Sequence, residues 1–453
     1  MVRDMQETIR ETNKVLRKNA LHTILEQLDN RVMQINKKER KKKYNKMKQD
    51  PYNFFRGSAY LFYYDVSRIP FQFHTPADKP TWIMGDMHLD NFSTFEDEEG
   101  NLVFDVDDFD EGYLGSYLYD LLRMVVSIRL TAEKQGITDD KDEDKLVKAY
   151  LKSYRKQLKK FTKQEEDPVT TVFTIENTKG PIKKALKKLE ERKETHELTK
   201  QTITNEDGVR VFDRNKEKLK EVSANEYKAI QKAWDDYQST LPIGKFKEDH
   251  HFEIKDIVKK LGSGVSSTGL NRYFVLIEGN HPDKNKDDII LEVKEARPPV
   301  PAYFFEYNEN FWQHYNHQGE RVIDTQKAMH HKADPYLGFM DIGNRSYYVR
   351  ERSAFDKDID HDDFTSYKAI EQTVKTMGKI SAKIHARADA DVKKGLLAYH
   401  SEEAILDTIE QDRKGFTREL VTWSRFYKKQ VEEDYEYFLE WLETYFYKNK
   451  KEN

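Results

Sequence analysis

Two short acidic segments follow strand-like runs and carry side chains that could move a proton or bind a cation. The first, WIMGDMHLDNF, places Asp86, His88 and Asn91 directly after an apolar run. The spacing of Asp86 and Asn91 suits phosphoryl transfer to a hydroxyl, in which an Asp accepts the hydroxyl proton and an Asn five residues later holds a metal ion. Asp86 is therefore the candidate catalytic base, and Asn91 is a candidate metal ligand.

The second segment, VFDVDDFDE, crowds carboxylates at the end of a predicted strand. A hard cation with oxygen ligands would relieve their repulsion, so Asp108 and Asp110 are candidate Mg²⁺ ligands between nucleotide phosphates. Ordinary turn and cap acids are the alternative for both segments. An EF-hand is excluded, because the run lacks the Gly and the final Glu that such a loop requires.

Composition narrows the class of protein. The 453 residues predict two to three domains, or one two-lobed domain with insertions and room for a cleft. With 77 basic and 81 acidic residues the net charge is -4, so no nucleic-acid partner is expected. The absence of cysteine excludes disulfides and thiolate sites. No signal-like or membrane-spanning apolar run occurs, so we expect a cytoplasmic protein without a membrane span.

A glycine-rich segment, LGSGVSSTG, precedes an alternating strand and could cradle phosphates. Gly262, Gly264 and Gly269 would let backbone amides approach a phosphate, and the Ser266 hydroxyl could donate to it. An ordinary hairpin turn is the alternative. Further along, IILEVKEA places Lys294 in a strand among apolar residues. A glycine loop, a strand and then a strand lysine form the phosphate clamp of kinases in this order.

A helix with an acid should follow to orient that lysine. The segment GERVIDTQKAMHHK supplies Glu320 and Asp324, which share one helical face because they are four residues apart. The sequence does not choose between these two acids as the partner of Lys294.

The residue patterns divide the chain into five parts. A DG turn in TITNEDGVRVFD predicts a hairpin, the basic run before Pro51 predicts a solvated helical face, and the aromatic residues of the last helix predict a packing face. The parts are an N-terminal helical extension (1–50), the catalytic and metal loops (51–134), a Lys/Glu-rich helical connector (135–248), a smaller nucleotide-binding lobe (249–355), and C-terminal helices that complete the large lobe (356–453).

Seven segments in the same order resemble the bacterial domain of unknown function 2252 family, from about residue 50 to residue 430. They are NFFRGSAYLFYYDV, GDMHLDNF, LVFDVDDFDEGYLGSYLYDLLRM, GSGVSSTG, LEVKEARP, QGERVIDTQ and IHARAD. The wider similarity is to kinase-like phosphotransferases of the aminoglycoside and choline kinase type, whose catalytic loop reads H-G-D-x-H-x-x-N. Gly85, Asp86, His88 and Asn91 match that pattern, and Met84 replaces its first His.

This resemblance implies a fold as well as a reaction. The interval from Asp108 to Asp120 resembles the spacing between the metal Asp of those enzymes and the Asp that braces their catalytic loop. An α+β, two-lobed protein-kinase-like fold with added helical segments is therefore expected. Its order would be circularly permuted, because here the catalytic and metal loops precede the glycine loop, and such a permutation keeps a fold when the old termini can be bridged.

Together these features predict an ATP- and Mg²⁺-dependent phosphotransferase that acts on a hydroxyl of an unidentified acceptor, a small molecule rather than a protein. Nucleotidyl transfer by the same residues is one alternative. A nucleotide-binding pseudokinase or regulatory scaffold is another. The presence of both Asp86 and Asp108 favours the enzyme, because binding alone does not need a base.

Overall fold

The computed structural model describes residues 2–242, 251–262, 264, 268–279, 287–332, 334–387, 389 and 397–448. Its described part is 53% helical and 14% strand, which confirms the α+β class. Of the predicted site residues, Ser266 lies outside the described ranges.

The helices and strands follow one another in mixed order. In the described ranges the α-helices are α1 (Val2–Leu25), α2 (Lys37–Met47), α3 (Pro51–Gly57), α4 (Ala59–Val66), α5 (Tyr117–Lys134), α6 (Asp140–Thr162), α7 (Gly180–Leu189), α8 (His196–Gln201), α9 (Ala224–Ser239), α10 (Glu309–His314), α11 (Gln318–Met329), α12 (Tyr367–Arg387), α13 (Ser401–Gln411) and α14 (Arg413–Trp441). The strands are β1 (Thr81–Ile83), β2 (Phe92–Glu96), β3 (Leu102–Val106), β4 (Tyr113–Gly115), β5 (Thr202–Thr204), β6 (Arg210–Phe212), β7 (Leu219–Glu221), β8 (Ile254–Lys260), β9 (Arg272–Ile277), β10 (Ile289–Glu295), β11 (Gly338–Ile342), β12 (Arg345–Glu351) and β13 (Lys357–Asp358). Residues Glu26–Val32 and Leu442–Phe446 form short π-helices.

The largest sheet has six antiparallel strands in the order β11-β12-β10-β9-β8-β7. A three-stranded sheet has the order β13-β2-β3, and β1 pairs with β4. The pair β5–β6 is the hairpin that the DG turn predicts, with Gly208 at φ +78°, in the left-handed region that glycine enters without steric cost.

The two largest hydrophobic clusters of the described residues hold most of these elements. Buried apolar residues of α5, α6, α12 and α14 form the core of a helical region, in which one face of α6 packs along α12. A second core lies between the six-stranded sheet and α9, where Ile230, Trp234 and Tyr237 pack against strand residues such as Val275 and Leu291. The sheet is therefore covered by amphipathic helices, as an α+β architecture requires.

The part of the chain predicted to be a connector, residues 135–248, instead contributes to both cores. Helix α6 lies inside the helical region, while β7 adds an edge strand to the six-stranded sheet and α9 covers that sheet. Among its described residues, most Lys and Glu side chains are exposed, although Glu143 and Glu197 are buried. The apolar stripes of its helices form the packing surfaces.

The N-terminal helices pack against the rest of the molecule. Helix α2 has a mostly solvated face, as the basic run predicts, but Tyr44 and Met47 are buried. The ring of Tyr44 meets Phe438 and Trp441 of α14 edge to face, at centroid distances of 5.7 and 5.5 Å. The aromatic face of the last helix is thus a packing face, as predicted. Among the described residues, none of the helices is long and apolar enough to cross a membrane.

Candidate functional site

Strand pairing brings the two acidic loops side by side. The β1–β4 pair sets Ile83 opposite Tyr113, and the β2–β3 pair sets Phe92 opposite Val106. Residues 84–91 and 107–112 are therefore joined at both ends, and the Asp107 amide donates to the Asn91 carbonyl oxygen at 3.1 Å.

The two loops touch most closely at Gly85. Its φ is +79°, and an added Cβ would lie only 2.0 Å from the backbone oxygen of Glu111. The Tyr63 hydroxyl donates to the Gly85 carbonyl oxygen at 2.6 Å. The position requires glycine for both the backbone conformation and the space.

Asp120, in the first turn of α5, fixes the start of the 84–91 loop. Its fully buried carboxylate accepts the backbone amides of Met84 at 2.7 Å and Gly85 at 3.0 Å. Nε2 of the buried His385 lies 3.2 Å from the same carboxylate. The brace that the 108-to-120 spacing predicts is therefore present.

The Asp86 carboxylate is buried and forms an ion pair with Arg123 of α5. The Arg123 guanidinium is itself fully buried, lies 4.3 Å from the centroid of the Phe55 ring, and donates to the Phe55 carbonyl oxygen at 3.2 Å. Sequence reasoning missed Arg123, although an arginine inside the apolar run YLYDLLRMVV was a usable signal. Arg56 of α3 pairs with Asp90 at 2.6 Å.

Asn91 holds the loop backbone, and His88 borders the Asp86 carboxylate. Burial lowers the pKa of His88 to about 3, which keeps the imidazole neutral. Its Nε2 lies 3.8 Å from Asp86 Oδ2. The Asn91 side chain donates to the Asp86 carbonyl oxygen at 2.8 Å. That bond uses the amide nitrogen of Asn91 and leaves its oxygen, Oδ1, as the atom that could bind a cation.

Asp108 and Asp110 crowd each other on the second loop. Burial and the neighbouring Asp110 charge raise the pKa of Asp108 to about 6, against the attraction of Lys294. The Asp108 carboxylate accepts the Asp110 amide at 3.3 Å. Such an under-compensated carboxylate is the kind of group that a cation stabilises.

Lys294, buried on the inner strand β10, forms an ion pair with Asp110. Tyr348, its neighbour on β12, donates its hydroxyl proton to the same carboxylate at 2.9 Å. Burial opposes the charge of Lys294, but Asp110, Tyr348 and Asp108 outweigh it and raise the pKa of the ammonium above its ordinary value. Lys294 therefore faces the loop that carries Asp108, with Asp110 as its direct partner.

Helix α11 does not supply the partner of Lys294. The side chain that α11 points at the acidic loop is Arg321, which is fully buried and donates to the carbonyl oxygens of Gly112 at 2.7 Å and Asp110 at 2.8 Å. Glu320 and Asp324 lie on another side of the helix, where burial and the nearby Asp324 raise the pKa of Glu320. The two acids do lie near each other, beside Tyr315, while Lys294 is paired with Asp110.

A second charged network, also missed from the sequence, joins the sheet to the acidic loop. Glu292, two residues before Lys294, pairs with Arg272 at 3.2 Å and Arg350 at 3.0 Å. Arg350 also pairs with Asp107 at 3.1 Å. On the neighbouring strand β8, burial and the cations Lys218 and Arg272 lower the pKa of Lys260 to about 8. Cationic side chains of the sheet therefore face the acidic loops, with Glu292 paired among them.

The glycine segment follows β8 and borders this cleft in part. Gly262 has φ +79° and lies beside Lys218, and Gly264 is exposed. Gly269 has φ +88°, and its carbonyl oxygen accepts a hydrogen bond from Arg297 at 3.3 Å. The next residue, Leu270, lines the cleft.

A cavity of about 50 Å³ lies where these loops meet. Its charged lining residues are the acids Asp86, Asp108, Asp110, Glu111 and Glu295 and the bases Lys43, Arg56 and Arg297. The pKa of Glu111 is raised to about 8, chiefly by burial and in part by the charges of Asp86 and Asp110. The amide of Val300 donates to the Glu111 carboxylate and acts in the opposite direction.

The donor set fits a hard cation. Asp108, Asp110 and Oδ1 of Asn91 offer only oxygen, which Mg²⁺ prefers. In the described ranges, a group of three possible metal-binding side chains lies outside the cleft, at Asp389, His400 and Glu402, whose ligand atoms are within 4.8 Å of one another. A cation in the cleft would therefore take few protein ligands and would depend on a bound phosphate for others.

The fold and the site together define an α+β protein with an acidic cleft between an antiparallel sheet and a helical region. The chain belongs to the family described as "Uncharacterized protein conserved in bacteria (DUF2252)", whose model matches residues 36–441. Comparison with curated proteins gave no match, and comparison with solved structures gave none.

Proposed function

We propose that this protein is an ATP- and Mg²⁺-dependent phosphotransferase that acts on a hydroxyl of a small-molecule acceptor. The observation that carries the proposal is the ion pair between Lys294 and Asp110. This pair joins the six-stranded sheet, which carries both Lys294 and the strand before the glycine segment, to the acidic loop beside Asp86. We further propose that the two regions are lobes of a kinase-like fold in circularly permuted order.

Opposed charge across the cleft supports phosphate binding. The sheet side concentrates Lys294, Arg272 and Lys260, and the lowered pKa of Lys260 reflects burial beside other cations. The loop side concentrates Asp108 and Asp110, and the raised pKa of Asp108 reflects burial beside another carboxylate. Both sides would be stabilised by a ligand that carries anionic phosphates and a divalent cation together.

Each residue then has a role in the transfer. Lys294 would exchange its bond to Asp110 for the phosphates, and Asp86, held by Arg123, would accept a hydrogen bond from the acceptor hydroxyl. The acceptor oxygen forms a bond to the γ-phosphorus while the bond from that phosphorus to the bridging oxygen breaks, and the hydroxyl proton passes to Asp86. Mg²⁺ held by Asp108, Asn91 and Asp110 would neutralise charge on the phosphates.

One observation favours a second candidate, a nucleotide-binding protein without turnover. Arg123 occupies one oxygen of Asp86 with an ion pair inside a fully buried site. A carboxylate engaged in this way could be structural. Nucleotidyl transfer by the same residues is a variant of the enzyme proposal, and a label on the α-phosphate would reveal it.

Calorimetric titration with Mg·ATP tests the binding half of the proposal. Replacing the cation in Lys294→Met should weaken Mg·ATP binding by about 10- to 100-fold, the usual value of a charge-assisted hydrogen bond. The matched control is Lys255→Met, because Lys255 is also a strand lysine, paired outside the cleft with Asp288 at 2.9 Å. Equal affinities for the folded Lys294→Met and Lys255→Met proteins would contradict the proposal.

A further inference from the structure

The N-terminal part of the chain closes the cleft. Met33 and Ile35 line the same cavity as Asp86, Asp108 and Asp110. Ile35 is 2% exposed, and a Cβ added to Gly269 would meet its Cγ1 and Cγ2 at 3.3 Å each. This isoleucine therefore lies against the glycine segment on one side and the acidic cavity on the other.

The remaining space is too small for a nucleotide. The cavity volume is about 50 Å³, whereas pockets that hold drug-sized ligands measure roughly 300 to 1,000 Å³. The acidic loops are in place, so the small volume reflects what covers them. Met33 and Ile35 are the lining residues that lie between the π-helix and α2, whereas the other N-terminal lining residues belong to helices α2, α3 and α4: Lys43, Arg56, Gly57, Ala59 and Tyr60.

The covering residues sit on irregular backbone. They follow the π-helix Glu26–Val32, a conformation that is rare in proteins and frequent at functional sites. Gln34, between Met33 and Ile35, has φ +51°, in the left-handed region that non-glycine residues seldom enter. Residues 26–36 are called the cover segment below.

A buried polar cluster anchors the cover segment. Lys43 Nζ donates to Asp29 Oδ1 at 2.7 Å and to the Tyr60 hydroxyl at 2.7 Å, and that hydroxyl donates to Asp29 at 2.6 Å. Asp29 lies in the π-helix, Lys43 in α2 and Tyr60 in α4, and all three are buried. This network sets one position for the cover segment relative to the cleft.

We infer that the cover segment is an autoinhibitory element, which must move away from Gly269 before a nucleotide-sized ligand reaches Asp86, Asp108 and Asp110. The identity of that ligand as Mg·ATP rests on the proposed function, but the closure itself does not. The Ile35 side chain fills the space between Gly269 and the acidic cavity, and the Asp29–Lys43–Tyr60 cluster holds the cover segment in this closed position.

A single introduced thiol measures opening without any nucleotide. The chain has no cysteine, and Ala59 lines the cavity and is 6% exposed, so the variant Ala59→Cys reports access to the cleft through its rate of thiol labelling. Adding Ile35→Ala should raise that rate by about tenfold or more, because the side chain at position 35 then loses most of its packing against Gly269. The milder Ile35→Val should raise it less and serves if Ile35→Ala fails to fold.

The matched control is Ile409→Ala in α13, which removes the same atoms from a fully buried site in the helical core. It should leave the labelling rate unchanged at a temperature well below unfolding. Equal labelling rates with Ile35→Ala, Ile35→Val and Ile409→Ala would overturn the inference.

Titration of the same variants with Mg·ATP separates the two proposals. Tighter Mg·ATP binding together with faster labelling in Ile35→Ala supports both. Faster labelling with no Mg·ATP binding in any variant upholds the closure and overturns the proposed function. Unchanged labelling with Mg·ATP binding at wild-type affinity overturns the closure and leaves the proposed function intact.

Discussion

Lys294 and Asp110 form an ion pair that fastens the middle of the six-stranded sheet to the acidic loop after β3. Because Lys294 is 3% exposed, neither charge can be removed without leaving the other poorly solvated. The pair is thus both a structural link across the cleft and the clearest indication of what the cleft binds.

A double-mutant cycle should detect this link. Lys294→Met and Asp110→Asn should each lower the free energy of unfolding by about 3 kcal/mol, because each leaves a buried partner unpaired. The double variant should lose less than the sum of the two, with a coupling energy of about 1–3 kcal/mol. Urea unfolding of the four proteins measures the cycle, and simple additivity would show that the pair contributes no mutual stabilisation.

Replacing Gly85 should be far more damaging than replacing another glycine with the same backbone conformation. Gly85 and Gly100 have φ of +79° and +81°, but a Cβ at Gly100 meets nothing within 4 Å, whereas one at Gly85 meets the Glu111 oxygen at 2.0 Å. Gly100→Ala should cost about 1–2 kcal/mol, the conformational term alone. Gly85→Ala should cost at least about 2 kcal/mol more. Equal thermal shifts would contradict the close approach of the two loops.

Much of this arrangement could be predicted from the sequence, because the signals were local. The DG hairpin, the strand that carries Lys294 and the 108-to-120 spacing each depend on a few neighbouring residues, and each has the predicted geometry. Rotation of a helix about its axis is not local. Glu320 and Asp324 share a face as predicted, but tertiary packing turned Arg321 toward the cleft.

The remaining misses have the same origin. The Arg123–Asp86 pair and the burial of Ile35 against Gly269 join residues far apart in the chain, and a single sequence carries no signal for such contacts. Helix α6 resembled a solvated connector because its charged face outweighs its apolar stripe in composition, although that stripe packs along α12.

Asp120 should be among the most important residues for stability in the site region. Asp120→Ala removes a fully buried acceptor of two backbone amides and should cost about 3–5 kcal/mol. Asp139→Ala is the matched control, since Asp139 also accepts two amides, those of Lys141 and Asp142, but on an exposed helix terminus. The control should lose about 1 kcal/mol. Comparable losses in chemical denaturation would show that the brace is not buried as described.

Stability should fall with rising pH in a way that Glu111 controls. The folded carboxyl has its pKa raised to about 8 from an ordinary value of 4.5, so between these values the folded state holds a proton that the unfolded chain has lost. Stability therefore decreases as pH rises through this window. The side chain in Glu111→Gln cannot ionise. The melting temperature of this variant minus that of the wild type should therefore increase from about pH 5 to pH 8, and this difference should stay constant at higher pH. Parallel melting curves across this range would contradict the assignment.

Transfer of labelled phosphate is the direct test of the proposed phosphotransferase activity. The wild type, Ile35→Ala and Asp86→Asn are each incubated with Mg²⁺, a small-molecule cell extract, and ATP labelled at either the γ- or the α-phosphate. We expect that γ label, and not α label, moves to a small molecule, faster with Ile35→Ala than with the wild type. Asp86→Asn should cut the rate by about 10²- to 10⁴-fold, the usual value of a positioned base, at nearly unchanged ATP affinity. Full activity of Asp86→Asn would contradict the role of Asp86 as the base. No transfer of either label by the wild type and Ile35→Ala would contradict the proposed function.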